Sequence, residues 1–331
     1  MDISNYDIHI IKNIYNNFRY LFLILIILLN IFEPFFLKDK IISQNMLRKK
    51  DNNIKVCLCT LGKNENKYVK EFIEYYKNLG VDKIFLYDNN DILGENFEYV
   101  INEYIERGFV EILNWRGKQK QIMNIMNDCY KKNNIIYDWL IFYELDEYLF
   151  LKNFTNIKSF LNDLRFYKCK KIVLNAIFHT DNNLIYYDNR SLIERFPERE
   201  IKARNKKTGG LSIVKTIIKG GIKNLKINCI HRISTKIKGC DGFGNKIELI
   251  GIETKNSDYD NFYIDHYYCK STEEFIDKLN KGDALFSHDK NHKLARIKTY
   301  FGYNKITLQK IKLIENKTGF DLLEYKKKIN N

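Results

Sequence analysis

The segment Trp139-Leu-Ile-Phe-Tyr-Glu144-Leu145-Asp146-Glu147-Tyr148 ends an apolar run on three carboxylates. Glu144 and Asp146 are two apart, so on an extended chain they project to the same side. Carboxylates crowded in this way repel unless a cation neutralises them, and a hard divalent ion with oxygen ligands is the natural partner. Such an ion would in turn hold a diphosphate. The plainer reading is a solvated acidic turn; a position just after an apolar strand favours the metal.

Other candidates sit at the ends of apolar runs. Thr60-Leu-Gly62-Lys63-Asn64-Glu65 follows one such run, and its glycine would let backbone amides approach a ligand. Neither G-x-x-x-x-G-K-[ST] nor G-x-G-x-x-G is present, which argues against a P-loop ATPase and a dinucleotide dehydrogenase. Asp88, in Tyr87-Asp88-Asn89-Asn90-Asp91, closes a second run where polar side chains could hold a base or ribose; a plain Asn/Asp turn fits equally well. His231 and His266 each end a further run, and either could supply an imidazole ligand beside Glu144 and Asp146.

The elements that must position these residues alternate. Strands are expected over 54–59, 81–87, 109–113 and 139–145, with amphipathic helices over 66–79, 97–106 and 118–131 between them. This spacing predicts parallel βαβ crossovers and a Rossmann-like half, with ligands beyond the carboxyl ends of the strands. After about residue 170, strands are expected over 171–178, 211–219, 227–233 and 261–268, then helices over 271–281 and 307–328. The fold class is therefore α/β, a mixed sheet flanked by helices.

Composition narrows the function. With 331 residues, 45% hydrophobic and 14% aromatic, the chain is no disordered tail, and two prolines exclude Pro-rich linker material. The net charge of +14 is spread over helices and loops without a compact basic stripe, so nucleic acid is not an expected partner. The seven cysteines include no Cys-x-x-Cys pair, and Cys57 and Cys59, alternating on a strand, cannot easily pair with each other. Residues 20–37 (YLFLILIILLNIFEPFFL) read as an uncleaved signal anchor and transmembrane helix. The expected organisation is a tail (1–19), the anchor (20–37), a stem (38–53), a catalytic domain (54–285) and a helical extension (286–331).

The order of motifs resembles glycosyltransferase family 92, with a GT-A-type fold. The matching pieces are T-L-G-K-N-E with the following Y-V-K-E-F-I-E-Y-Y-K-N-L-G-V-D-K-I-F-L-Y-D-N-N, then D-W-L-I-F-Y-E-L-D-E-Y-L, I-E-R-F, V-K-T-I and H-Y-Y-C-K-S-T-E-E-F. The resemblance implies an inverting transferase that moves a sugar, commonly galactose, from a UDP-sugar donor to a glycan hydroxyl with Mn2+ (or Mg2+). Thr60, Asn64, Glu65 and Asp88, with Asp146, would border the nucleotide sugar. Glu144 and Asp146 would fill the D-x-D metal motif, from which Glu144 departs by one methylene. A catalytically inactive nucleotide- or glycan-binding protein of the same fold is the alternative that this departure suggests. Leaving-group charge would fall to Lys206, Lys207 or Lys215, and the base to Asp241, Asp265 or Glu194. The resemblance also implies a single-pass membrane protein with a lumenal body, whereas the charges flanking the apolar run, counted alone, would leave that body cytoplasmic.

Overall fold

The computed structural model describes residues 54–118, 120–200, 212–234, 236–255, 258–282 and 289–330. Its core is a mixed sheet flanked by helices. β1 (Val56–Gly62) is apolar almost throughout and buried on both faces, as a central parallel strand must be. β2 (Lys83–Asp88) and β4 (Trp139–Phe142) flank it in parallel register, and β3 (Val110–Asn114) adds to β2. Between them run α1 (Asn66–Asn78), α2 (Glu98–Glu106) and α3 (Ile122–Asn133). On α1 the buried Tyr68, Val69, Phe72, Ile73 and Tyr76 recur at helical spacing and form one apolar stripe. The parallel βαβ half is thus present as the alternation predicts.

The second half completes the sheet with β5 (Glu147–Leu151), β6 (Lys171–Phe178), β7 (Ser212–Lys219) and β11 (Phe262–His266); the short helices α4 (Ile157–Leu161) and α5 (Leu192–Arg195) and the two-residue strands β8 (Gly239–Cys240), β9 (Lys246–Ile247) and β10 (Glu253–Thr254) lie between them in sequence. The order is β3-β2-β1-β4-β7-β6-β11-β5. β7 is antiparallel to β4 and β6, β11 is parallel to β6, and β5 is antiparallel to β11. The carboxyl ends of β1, β4, β6 and β11 therefore lie on one edge of the sheet, where β5 also begins.

Several boundaries differ from the pattern-based expectation. The strand expected over 139–145 stops at Phe142, because the chain there leaves β4 and passes β7, β6 and β11 in the sheet order to begin β5 at Glu147. Residues 227–233 form no strand; Cys229 and Ile233 make only an isolated bridge, and Ile233 has a left-handed φ of 63°. The helix expected over 307–328 is broken at Gly319, whose φ of 72° ends α8 (Leu308–Thr318) in a left-handed cap before α9 (Leu323–Asn330). Disulfides Cys59–Cys129 and Cys169–Cys240 join β1 to α3 and the approach to β6 to β8 (Gly239–Cys240).

The single-pass membrane localisation is corrected. Among the described residues no helix is long and apolar enough to cross a membrane. Even α7 (Lys290–Tyr303), at 14 residues, spans only about 21 Å of a roughly 30 Å hydrocarbon layer. The apolar run 20–37 and the segments 1–19 and 38–53 lie outside the described residues.

The C-terminal helices are not a separate appendage. They share an apolar cluster with α6 (Thr272–Lys281), built around Phe275, Leu279, Ile297, Tyr300 and Ile311. A buried polar clamp ties them to the end of β6. Asp181 accepts from Tyr300 Oη at 2.5 Å, pairs with Lys310 Nζ at 2.5 Å and donates its backbone N–H to Asn304 Oδ1 at 2.6 Å. Asp181→Ala would leave the fully buried Lys310 ammonium without its counter-charge. The expected loss is about 3–5 kcal/mol in urea unfolding. A loss below about 1 kcal/mol, the scale of an exposed pair, would mean that the apolar contacts alone hold these helices.

Candidate active site

The three carboxylates sit where the sheet edge gathers its strand ends. Glu147 opens β5 opposite His266, which closes β11. Their facing atoms, Glu147 Oε1 and His266 Nδ1, are 3.6 Å apart, and His266 Nε2 lies 3.5 Å from Asp146 Oδ1. Single ligand atoms of Glu144, Glu147 and His266 all lie within 4.8 Å of one another. The chain between β4 and β5 is held by the Glu144 amide donating to Glu147 Oε2 at 3.1 Å and the Tyr267 amide donating to the Asp146 carbonyl at 2.9 Å. Gly62 closes the other side. A methyl there would meet Phe97 at 2.5 Å and Leu145, the residue between Glu144 and Asp146, at 2.8 Å.

Lysines keep this acidic group stable. Lys215 of β7 is fully buried, with Nζ 2.9 Å from Glu144 Oε2 and 2.6 Å from Glu147 Oε1. Burial alone would lower the Lys215 pKa, yet the two carboxylates raise it above the ordinary lysine range. Lys278 of α6 donates to Asp146 Oδ2 at 2.7 Å. Burial opposes ionisation of Asp146, but Lys278, His266 and Lys270 outweigh it and hold the carboxyl well below its usual range. Glu144, part-exposed at the cavity, is lowered as well: the cost of desolvating its carboxylate is outweighed chiefly by Lys215.

The cluster opens into a cavity of about 320 Å³. Leu61, Lys63, Asn89 and Lys118 line it from the βαβ half, and His231, Tyr268 and Arg296 from the other side. His231 Nδ1 is 3.1 Å from the Val214 carbonyl, which sets its tautomer and leaves Nε2 as the lone-pair nitrogen. Glu144, Asp146, His231 and His266 are therefore neighbours on one cavity, although His231 lies in a turn and not at the end of a strand.

The other sequence candidates divide. Glu65 lines this cavity and also an adjoining one of about 480 Å³, which Asn64 lines as well. Thr60 is buried within β1, its hydroxyl without a hydrogen-bond partner. Asp88 is committed elsewhere. It accepts from Arg116 Nε at 2.7 Å and from the Asn90 amide, and Arg116 in turn donates to the Asp91, Ile92 and Glu95 carbonyls. Its neighbour Asn89 faces the cavity instead.

None of the three base candidates lines either cavity among the described residues. Asp241 caps a turn by accepting from the Phe243 and Asn245 amides. Glu194 closes a capping box with Ser191. Asp265 alternates with His266 on β11 and pairs with His179 at 2.7 Å and Arg199 at 3.6 Å. Lys206 and Lys207 lie outside the described residues. Pattern reasoning did not find Lys278 or Lys281; the local sign of both is basic charge in the last turn of a helix.

A family model described as glycosyltransferase family 92 matches residues 52–298. The chain belongs to glycosyltransferase family 92. A family 92 protein of Ricinus communis is 26% identical over 105 residues, 31% of this chain and 18% of that protein. One of Oryza sativa subsp. japonica is 27% identical over 116 residues, 35% of this chain and 19% of that protein. The chain thus spans under a fifth of the length of these curated family 92 relatives. Among solved structures, S. aureus TarS 1-349 in complex with UDP-GlcNAc aligns with a TM-score of 0.37 at 11% identity, over 80% of each chain. Mannosyltransferase PcManGT from Pyrobaculum calidifontis, in complex with GDP-Man and Mn2+, aligns at 0.30 and 10%, over 46% of this chain and 51% of that one.

The two imidazoles of this candidate site make stability fall in mild acid. His231 is pushed down to about 3, by burial first and then by the Lys215 ammonium. His266 is lowered by burial, against the pull of Asp146. Both bind a proton in the unfolded chain near pH 6.5 and lack it in the fold, so stability is lost as pH drops below that value. The unfolding midpoint should fall between about pH 7 and about pH 4.5, and His231→Gln should flatten that fall. An unchanged slope in the variant would contradict the assignment.

Proposed function

We propose that this chain is a GT-A-type, metal-dependent inverting glycosyltransferase that moves a sugar, with galactose the leading candidate, from a UDP donor to a glycan hydroxyl. The observation that carries the reading is the convergence of Glu144, Asp146 and His266 on one cavity at the strand ends, with the buried Glu147 beside them and single ligand atoms of Glu144, Glu147 and His266 within 4.8 Å of one another.

The donor set suits Mn2+ or Mg2+: carboxylate oxygens from Glu144 and Asp146 and an imidazole nitrogen from His266. His266 Nε2 faces Asp146 Oδ1 at 3.5 Å, and its Nδ1, buried without a hydrogen-bond partner, faces Glu147 Oε1 at 3.6 Å. Glu144 keeps the family's acidic character, and its side chain is 42% exposed, so its longer arm can adjust. When bound, the ion would offset charge on the departing diphosphate. The chain's own residues do the rest. Lys215 fixes Glu144 and Glu147, and the backbone bonds of Glu144 and Asp146 hold the turn rigid. Lys63, Lys118, Lys278 and Lys281 make the cavity cationic toward a diphosphate. Asn89 and Leu61 offer a polar and an apolar edge to a nucleoside. In transfer, the acceptor oxygen bonds to the anomeric carbon as the bond to the phosphate oxygen breaks, and the hydroxyl proton is released.

The purified chain, given Mn2+ and a panel of UDP-sugars, should hydrolyse or transfer one of them slowly. Asp146→Ala should reduce that rate by about 100-fold or more, the scale of losing a main electrostatic contact. Tight UDP binding without turnover on any acceptor would instead establish an inactive binding protein. Absence of both binding and turnover would overturn the reading.

A further inference from the structure

The lysines of α6 are placed for more than balancing charge at rest. The two cavities share Lys63, Glu65, Lys278 and Lys281. Lys278 and Lys281 are three residues apart on α6 and so lie on one face of the helix. Lys281 is engaged by Glu65 and donates to the Lys63 carbonyl at 3.0 Å. Lys270 sits between, 3.5 Å from Glu65 Oε2 and 4.0 Å from Asp146 Oδ2, over the ring of Tyr68. Of these three lysines, Lys278 makes the direct hydrogen bond to Asp146, the carboxylate that the proposed cation needs.

A divalent ion binds a carboxylate oxygen at about 2.0–2.6 Å. The Lys278 ammonium holds Asp146 Oδ2 at 2.7 Å, and the other oxygen, Oδ1, faces His266 Nε2 at 3.5 Å. A divalent ion and an ammonium held on one carboxylate lie close together and repel. Asp146 is only 5% exposed and cannot be left unpaired, so the ammonium can leave only as another cation arrives. The Lys278 side chain has a flexible four-carbon stem and is 17% exposed toward both cavities.

We propose that Lys278 is an internal counter-cation for Asp146, that a divalent metal displaces it, and that the released ammonium then pairs with the phosphates of a nucleoside diphosphate. The inference rests on the transferase reading above. Lysine suppresses binding of metal alone, and the carboxylate suppresses binding of nucleotide alone. Metal and nucleotide together relieve both, which makes their binding cooperative.

The test is calorimetry on the full chain with Mn2+ alone, UDP alone in EDTA, and both. Lys278→Met should bind Mn2+ alone about fivefold or more tightly than the unmodified chain, and UDP with Mn2+ more weakly by a similar factor. Lys278→Arg, which keeps the charge, should leave the affinity for Mn2+ alone close to that of the unmodified chain. Asp146→Asn frees the lysine, so UDP in EDTA should bind about fivefold or more tightly. This second arm decides the matter should Lys278→Met fail to fold. Weaker or unchanged Mn2+ binding in Lys278→Met would overturn the proposal, as would unchanged UDP binding in Asp146→Asn. If the unmodified chain binds neither Mn2+ nor UDP, the transferase reading itself falls, a result distinct from altered variants on a chain that binds both.

Discussion

Three carboxylates packed into four residues at the edge of a sheet would repel one another and resist burial. The rest of the site answers that one constraint. Lys215 reaches up from β7 to grip Glu144 and Glu147, Lys278 reaches across from α6 to grip Asp146, and His266 stands between the acids on β11. Each of these partners comes from a different element, so the sheet order and the docking of α6 are needed before the acids can be tolerated. Such an arrangement is costly as pure architecture, because a well-packed apolar cluster of similar volume would be as stable or more so. Its retention is intelligible if the acids are there to hold a cation.

The fold supplies the geometry in two steps. The parallel half delivers the carboxyl ends of β1 and β4 to one edge, because the two strands pair in parallel. The second half then brings β6 and β11 in with their carboxyl ends on that same edge, with β7 and β5 antiparallel between and beside them. The antiparallel β7 lets a residue from the middle of a strand, Lys215, meet groups at the ends of its neighbours.

Much of this was legible in the residues and some was not. Continuous apolar runs such as Val56–Gly62 and Trp139–Phe142 announce buried parallel strands, and the carboxylates that follow β4 announce its functional end. The start of β5 was hidden because Glu147 reads as part of an acidic turn, although it is a fully buried strand residue opposite His266. The alternation over 227–233 mimics a strand, yet the left-handed backbone at Ile233 prevents one. Asp88 looked like a nucleotide contact; only the fold shows that Arg116 claims it, 28 residues away. Lys278 and Lys281 read locally as ordinary basic residues closing a helix. Their meeting with Asp146 and Glu65 joins residues 132 and 216 positions apart, which no local pattern encodes.

The central claim is that the acidic group at the end of β4 is a cation site. Anomalous diffraction from crystals of the chain grown with Mn2+ and UDP measures it most directly. The account predicts an anomalous peak within coordinating distance of Asp146, Glu144 and His266. A peak elsewhere, or none with UDP bound in the cavity, would contradict it.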